Sequence, residues 1–264
     1  MPLWTLIGLK EGCATLDWPE KTGKNGQEDV LGMPRFNPEK CLTNCTRCVD
    51  ACLPNAITRD ENNNLKVDYG SCINCQLCTE VCPTGAMTKS EDWAFGVFDK
   101  KDLVWEKNSQ HKIKKTEIKK DFKQSLHIRH VDAGSCNGCE SELIALTNSI
   151  YDMERLGIFF TPSPRKADLL LVTGPVTYAM HDALLTTYEA MPKPCWVMAV
   201  GTCAVSGGSN GGGYACNQGL ENILPVDVYL PGCPPNPAAL ITAFQLFLGK
   251  IQQKVSGGQQ NDTL

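Results

Sequence analysis

The cysteines are the residues whose spacing could do chemistry. Cys72, Cys75, Cys78 and Cys82, followed by Pro83, stand in "CINCQLCTEVCP" at the spacing C-x2-C-x2-C-x3-C-P. Three thiolates so close together can wrap one face of an iron–sulfur cube while the fourth points away to a second cube. Upstream, "CLTNCTRCVDACLP" supplies Cys41, Cys45, Cys48 and Cys52, with one extra residue between the first two cysteines and Leu53 between the last cysteine and Pro54. The longer first loop can still deliver a thiolate, so a cluster is expected there too, with altered exposure or potential. Zinc competes for C-x2-C pairs, but eight cysteines in tandem fours without histidine favour clusters.

A third set is dispersed. "DAGSCNGCESEL" at 132–143 places Cys136 and Cys139 just past an apolar run, "GTCAVSGG" places Cys203 after another, and "PGCPPNP" places Cys233 after a third. If these runs are parallel strands, their carboxyl ends bring the four thiolates to one edge, where ligands of open sheets collect. Each sits on a loop made tight or permissive by Gly or Pro. Four thiolates could hold zinc, but the neighbouring modules favour another cluster, because electrons need a further stop within tunnelling reach.

The elements that must position these residues follow from periodicity. The segment 45–58 matches 75–88 at an offset of 30, which marks an internal duplication. Beyond 125, "LHIRHV" 126–131, "LLLVTG" 169–174, "CWVMAV" 195–200 and "VDVYL" 226–230 read as strands. Helices are expected over 140–156, 177–191 and 237–249, the last opening on Pro237. Strands alternating with helices predict a parallel sheet covered on both faces. The expected organisation is an extended arm at 1–35, a cluster module at 36–92, a lysine-rich linker at 93–125, an α/β domain at 126–250 and a flexible tail at 251–264.

Residues 36–92 resemble a bacterial-type two-cluster ferredoxin domain of the α+β class. The resemblance implies crossed ligation, with Cys41, Cys45, Cys48 and Cys82 on one cluster and Cys72, Cys75, Cys78 and Cys52 on the other. Downstream, "VDAGSCNGCESE", "PSPRKADLLLVTGPVT", "VMAVGTCAVSGG" and "PVDVYLPGCPPNPAAL" together resemble the small subunit of group 4 membrane-associated [NiFe] hydrogenases, related to the 20 kDa-type subunit of respiratory complex I. That resemblance implies a flavodoxin-like α/β domain whose Cys136, Cys139, Cys203 and Cys233 hold a proximal [4Fe-4S] cluster, three clusters in all. It implies a [NiFe] large subunit, membrane-embedded complex I-like subunits and a ferredoxin or formate dehydrogenase-type electron partner. The chain would then lie on the cytoplasmic face of the membrane, held by those partners. The separation of Cys136 from Cys139 favours the hydrogenase side, since the complex I subunits carry adjacent cysteines there. A nickel-free, quinone-linked or ion-translocating relative is the alternative, because nickel ligands would lie on the partner. Glu142 matches an acidic position facing the partner, with a helix first-turn carboxylate as the plain alternative, and Arg165 matches a position near the cluster, with an ordinary surface arginine as the equal alternative.

Composition limits other readings. The chain has 264 residues, 15 of them Cys, a formal charge of −4 and a pI near 5.6, which argues against nucleic acid. Between Lys107 and Lys123 seven lysines face Glu117 and Asp121, a solvated linker or a docking surface for anionic lipid or an acidic partner. "MPLWTLIGLKEG" lacks the basic lead and cleavage site of a signal peptide, which points to a cytosolic chain. No Walker loop, nucleophile elbow or carboxylate pair offers a competing chemistry, so the chain reads as an electron conductor whose active site is on a partner. Cys13, Cys195 and Cys216 remain outside the three sets, and His127, His130 and His181 are read as structural.

Overall fold

The computed structural model describes residues 3–12, 19, 29–107 and 125–260. The first part contains helix α1 (Leu3–Glu11), strand β1 (Arg35–Phe36), helix α2 (Arg47–Asp50), strands β2 (Ile57–Arg59) and β3 (Leu65–Asp68), helix α3 (Leu77–Glu80), and strands β4 (Met87–Thr88) and β5 (Val104–Trp105). The second contains strand β6 (Leu126–Asp132), helix α4 (Gly138–Ala145), strands β7 (Ile158–Phe160) and β8 (Leu169–Thr173), helix α5 (Tyr178–Glu189), strand β9 (Trp196–Val200), helix α6 (Thr202–Ser206), strand β10 (Val228–Leu230), helix α7 (Pro237–Phe247), and strands β11 (Val255–Ser256) and β12 (Gln259–Gln260).

The duplication is visible in the backbone. Helices α2 and α3 stand 30 residues apart, and the offset becomes 31 ahead of the residue inserted between Cys41 and Cys45. Strand β1 pairs with β4 in the register Arg35↔Thr88, and β3 pairs with β2 in the register Lys66↔Thr58. Applying the two offsets carries one pair onto the other. The inserted residue is therefore absorbed in the cysteine loop and leaves strand register intact, which matters because a one-residue slip would turn every buried side chain outward.

Strands β6 to β10 form one parallel sheet in the order β10-β9-β8-β6-β7, the 2-1-3-4-5 order of a flavodoxin-like fold. Every residue of the central strand β8 is buried, as a parallel strand covered on both faces requires. Leu169 and Leu171 face a core with Met198, Val200, Leu143 and Phe244, while Leu170 and Val172 face the opposite core with Val197, Ala199 and Leu184. That second core also includes Tyr69, Phe95, Val97 and Leu103, so the cysteine-rich first part packs directly on the sheet. Helix α7 is buried along its whole length, and its start is fixed by Pro237 at the first turn and by the Asn236 side chain accepting from Ala239 N at 2.7 Å.

Four expectations are corrected. The first stretch of the expected linker is structural: Val97 and Tyr229 exchange backbone hydrogen bonds of 2.9 and 2.8 Å, capping the β10 edge, and Phe95 and Val97 are core residues; most of the lysine-rich run lies outside the described residues. The expected flexible tail is ordered through Gln260. Gly257 and Gly258 take the left-handed conformations of a tight hairpin turn, Val255 is fully buried, and Gly258 N donates to Asp102 O. The arm begins with α1, a helix exposing Leu3, Trp4, Leu6, Ile7 and Leu9. The helix expected over 140–156 stops at Ala145, because the Asn148 side chain accepts from the backbone N–H groups of Ile150 and Tyr151 and offers the chain a turn instead. Among the described residues, no helix is long and apolar enough to cross a membrane.

Candidate metal centres

The duplicated halves exchange a cysteine. Cys41, Cys45, Cys48 and Cys82 line one cavity, together with Phe36, Leu65 and Met87, around about 320 Å3 of space between atoms. Cys52, Cys72, Cys75 and Cys78 line a second, with Ala56, Ile57 and Val67, around about 390 Å3. The last cysteine of each run thus faces the other half's cavity, since the short helices α2 and α3 aim the third and fourth cysteines of a run in different directions.

Burial makes the Cys48, Cys52, Cys72 and Cys78 thiols costly to ionise without a compensating cation. Burial first, then Cys41, Cys82 and Cys45, pushes the Cys48 thiol up to about 11. Burial pushes Cys72 up to about 12, with Cys52 and Cys75 adding to it, and burial with Cys72, Cys52 and Cys75 pushes Cys78 up to about 12. Cys78 also feels Cys48 of the other set, so the two cavities adjoin. Backbone N–H groups already point at sulfur, Asn74 N to Cys72 Sγ and Met87 N to Cys82 Sγ, each at 3.4 Å. Among the described residues no group of three or more His, Cys, Asp or Glu could hold a single metal ion; the thiols surround space rather than converge on a point. Four thiols, apolar walls and amides directed at sulfur fit a cubane cluster.

The third set gathers beyond the carboxyl ends of β6, β9 and β10. Asn137 in a left-handed conformation turns the chain so that Cys136 and Cys139 flank the start of α4, Cys203 lies in the first turn of α6, and Cys233 follows β10. Cys139 is held well above the ordinary thiol range by burial, then by Glu140, Cys203, Cys136 and Cys233, and Cys203 is pushed up to about 11 by burial, then by Cys233 and Cys136. Close backbone approach requires glycine here: a Cβ on Gly201 would sit 2.6 Å from Cys139 Sγ, at a φ of 85°. Cys136 and Cys233 are exposed, so this set opens to the surface at two of its four thiols, where the second set opens only at Cys75 and the first at none.

The acidic residue most tied to the third set is Glu140, not Glu142. Glu140 accepts from Ser135 Oγ at 2.6 Å and from Thr173 Oγ1, and Thr173 Oγ1 lies 2.9 Å from His130 Nε2. His130 is thus fixed at the sheet edge, and burial holds its pKa below the ordinary value against the pull of Glu140 and Asp132. Glu142 is half-buried on α4 with its carboxyl raised by burial. Its place beside Cys139 and the register bringing Thr173 level with Asp132 were the signals for Glu140. Arg165 is exposed ahead of β8, at the amino edge of the sheet and so opposite the cysteines, which fits the surface-arginine reading and not a place near the cluster. Cys195 lies just before β9 at that same far edge, with Lys193 Nζ 3.2 Å away. Cys216 is buried and donates to Asn210 O at 2.8 Å; Cys13 lies outside the described residues. His127 stacks on Phe159, and His181 faces Asp182 on the surface.

Comparison with known proteins agrees with this division. Residues 40–86 match the 4Fe-4S dicluster domain, and residues 136–247 match the 20 kDa subunit of NADH ubiquinone oxidoreductase. The chain is therefore similar to an iron–sulfur dicluster domain over one stretch and to the 20 kDa subunit over another. It is 44% identical over 141 residues to formate hydrogenlyase subunit 7 of Escherichia coli (strain K12), a match covering 53% of this chain and 55% of that protein. The chain thus spans about half the length of the curated relative it matches. Among solved structures it is similar to a chain of an archaeal respiratory complex, the membrane-bound sulfane sulfur reductase, at 39% identity and a TM-score of 0.42 over 48% of this chain and 70% of that one. It is also similar to a chain of an NAD+-reducing [NiFe]-hydrogenase, at 20% identity and a TM-score of 0.39 over 48% of this chain and 93% of that one.

Proposed function

We propose that this chain is the electron-carrying subunit of a membrane-associated [NiFe] hydrogenase complex, with three [4Fe-4S] clusters. Cys41, Cys45, Cys48 and Cys82 hold the first, Cys52, Cys72, Cys75 and Cys78 the second, and Cys136, Cys139, Cys203 and Cys233 the third. The observation that carries the reading is the sorting of twelve cysteines into three sets of four, two lining separate cavities and one at the carboxyl edge of the sheet. When bound, such clusters take up and release single electrons at potentials set by burial and by hydrogen bonds to sulfur.

The chain's own residues divide the remaining work. Apolar side chains of Phe36, Leu65, Ile57 and Val67 wall the first two sets. The adjacency of Cys48 and Cys78 keeps those sets within a short step of each other. The exposed Cys136 and Cys233 leave the third set open to a large subunit, which by the resemblance to [NiFe] hydrogenase small subunits carries the Ni–Fe centre. Membrane-embedded subunits tie the assembly to the cytoplasmic face, and a ferredoxin or a formate dehydrogenase-type module exchanges electrons at the first set.

The test is iron and nickel content of the complex purified anaerobically through a tag on this chain. About twelve irons per chain beyond the partners' own are expected from three cubanes, with nickel near one per complex. Iron at that level without nickel would replace the hydrogenase reading by that of a nickel-free relative, and a zinc-filled, iron-poor chain would overturn the relay altogether.

A further inference from the structure

The second and third cysteine sets meet at a single buried hydroxyl. Thr202 is 1% exposed, and its Oγ1 donates to the carbonyl of Cys72 at 2.8 Å while accepting from Gly232 N at 3.2 Å. Thr202 N donates to Gly232 O at 2.9 Å, so the loop bearing Cys203 and the loop bearing Cys233 are clamped together at the same point. The hydroxyl both donates and accepts; one partner is a proposed ligand, the other lies one residue from Cys233, and Thr202 itself precedes Cys203. Cys72 belongs to the second set, and Cys203 and Cys233 belong to the third.

The surrounding packing holds this node in place. Gly201 and Gly232 both have positive φ, and a Cβ on Gly232 would sit 2.6 Å from Pro235 N. A Cβ on Gly70 would sit 3.3 Å from Val205 Cγ1, so the turn carrying Cys72 lies directly on α6. A valine here would fill the same volume without the hydroxyl. Without it the Cys72 carbonyl and the Gly232 amide would each lose a partner in a dry contact.

We infer that Thr202 is the positioning residue for electron passage between the second and third sets, its hydroxyl supplying the hydrogen-bonded crossing from Cys72 to the loops of Cys203 and Cys233. The inference rests on the relay reading. One electron leaves the second set, which is oxidised by one, and arrives at the third, which is reduced by one; no bond forms or breaks and no proton moves. The reductant in the test is the hydrated electron delivered by pulse radiolysis.

The experiment uses the whole complex in three forms, wild type, Thr202→Val and Thr202→Ser, with iron content and midpoint potentials measured on each. Electron redistribution after the pulse is followed by freeze-quench electron paramagnetic resonance. In Thr202→Val the second-to-third step is expected to slow several-fold at unchanged potentials, and Thr202→Ser is expected to keep the wild-type rate. A wild-type rate in a fully iron-loaded Thr202→Val overturns the inference. If Thr202→Val loses iron, Thr202→Ser decides: a wild-type rate supports the inference and a slowed rate at full iron overturns it. Absence of three cubane signals in the wild type would instead defeat the relay reading itself, so the two failures are distinguishable.

Discussion

The first two cysteine sets and the third solve one problem in opposite ways. In the duplicated part, three cysteines of each set come from one short run, and the cavity they line is closed by apolar side chains of the same segment. In the sheet, the four cysteines come from three strand ends between Cys136 and Cys233, and two of them remain exposed. The first two sites draw most of their cysteines from local runs, although their core is shared with the sheet. The open one exists only when the parallel sheet has formed, and it leaves a face for another subunit.

The largest expected effect breaks the comparison at its ligands. Cys82→Ala should remove the same cluster as Cys45→Ala, and Cys52→Ala the same cluster as Cys78→Ala, each costing about four irons; cluster-specific magnetic resonance spectra of the variants check the crossing. Loss of separate signals by Cys82→Ala and Cys45→Ala would mean uncrossed sets.

Next comes the third site alone. Gly201→Ala places a Cβ against Cys139 Sγ at a backbone conformation L-residues avoid. Its iron content should fall by about one cubane, with the two enclosed clusters unchanged. Retention of all three signals would show that the loop yields more easily than its packing implies.

Smaller effects sharpen how the two parts are joined. Gln253 is buried, donating to Asp102 Oδ2 and Val255 O and accepting from Phe98 N. Gln253→Ala should lower stability by about 1–3 kcal/mol for the partners left unsatisfied, read by denaturant unfolding of the complex. His130 has its pKa lowered by burial, so the unfolded chain binds its proton first as pH falls below 6.5. Stability is therefore fully expressed above that value and declines through the window beneath it, at up to about 1.4 kcal/mol per pH unit; His130→Gln should flatten that limb in unfolding measured across pH. The smallest change is Asn236→Ala, which removes the α7 cap and should cost about 1 kcal/mol, read as a lower unfolding midpoint.

Much of this was legible in the sequence, for reasons that differ by site. The tandem cysteine runs carry their own short helices, so spacing picked out the first eight thiols, while their crossed sorting came from the resemblance to two-cluster ferredoxins. The third set was legible because β6, β8, β9 and β10 are apolar runs ending in Gly or Pro loops. Strand β7 was missed because "IFF" is too short to show a period. Glu140 was passed over for Glu142 because its role depends on Thr173 and Ser135, which only the sheet brings beside it. The closing hairpin had its own signal in "VSGGQQ", a Gly-Gly turn between short strands. The Thr202 contact had none, since it joins residues 130 positions apart.

The measurement that tests the relay most directly is a reductive titration of the anaerobically purified complex, followed by electron paramagnetic resonance with the spins assigned to this chain through its cysteine variants. The account predicts uptake of about three electrons by this chain, one per cubane, with two signals lost from variants in residues 41–82 and the third lost only from variants at Cys136, Cys139, Cys203 or Cys233. A chain that takes up two electrons or fewer, with the spectrum untouched by Cys203→Ala, would contradict it.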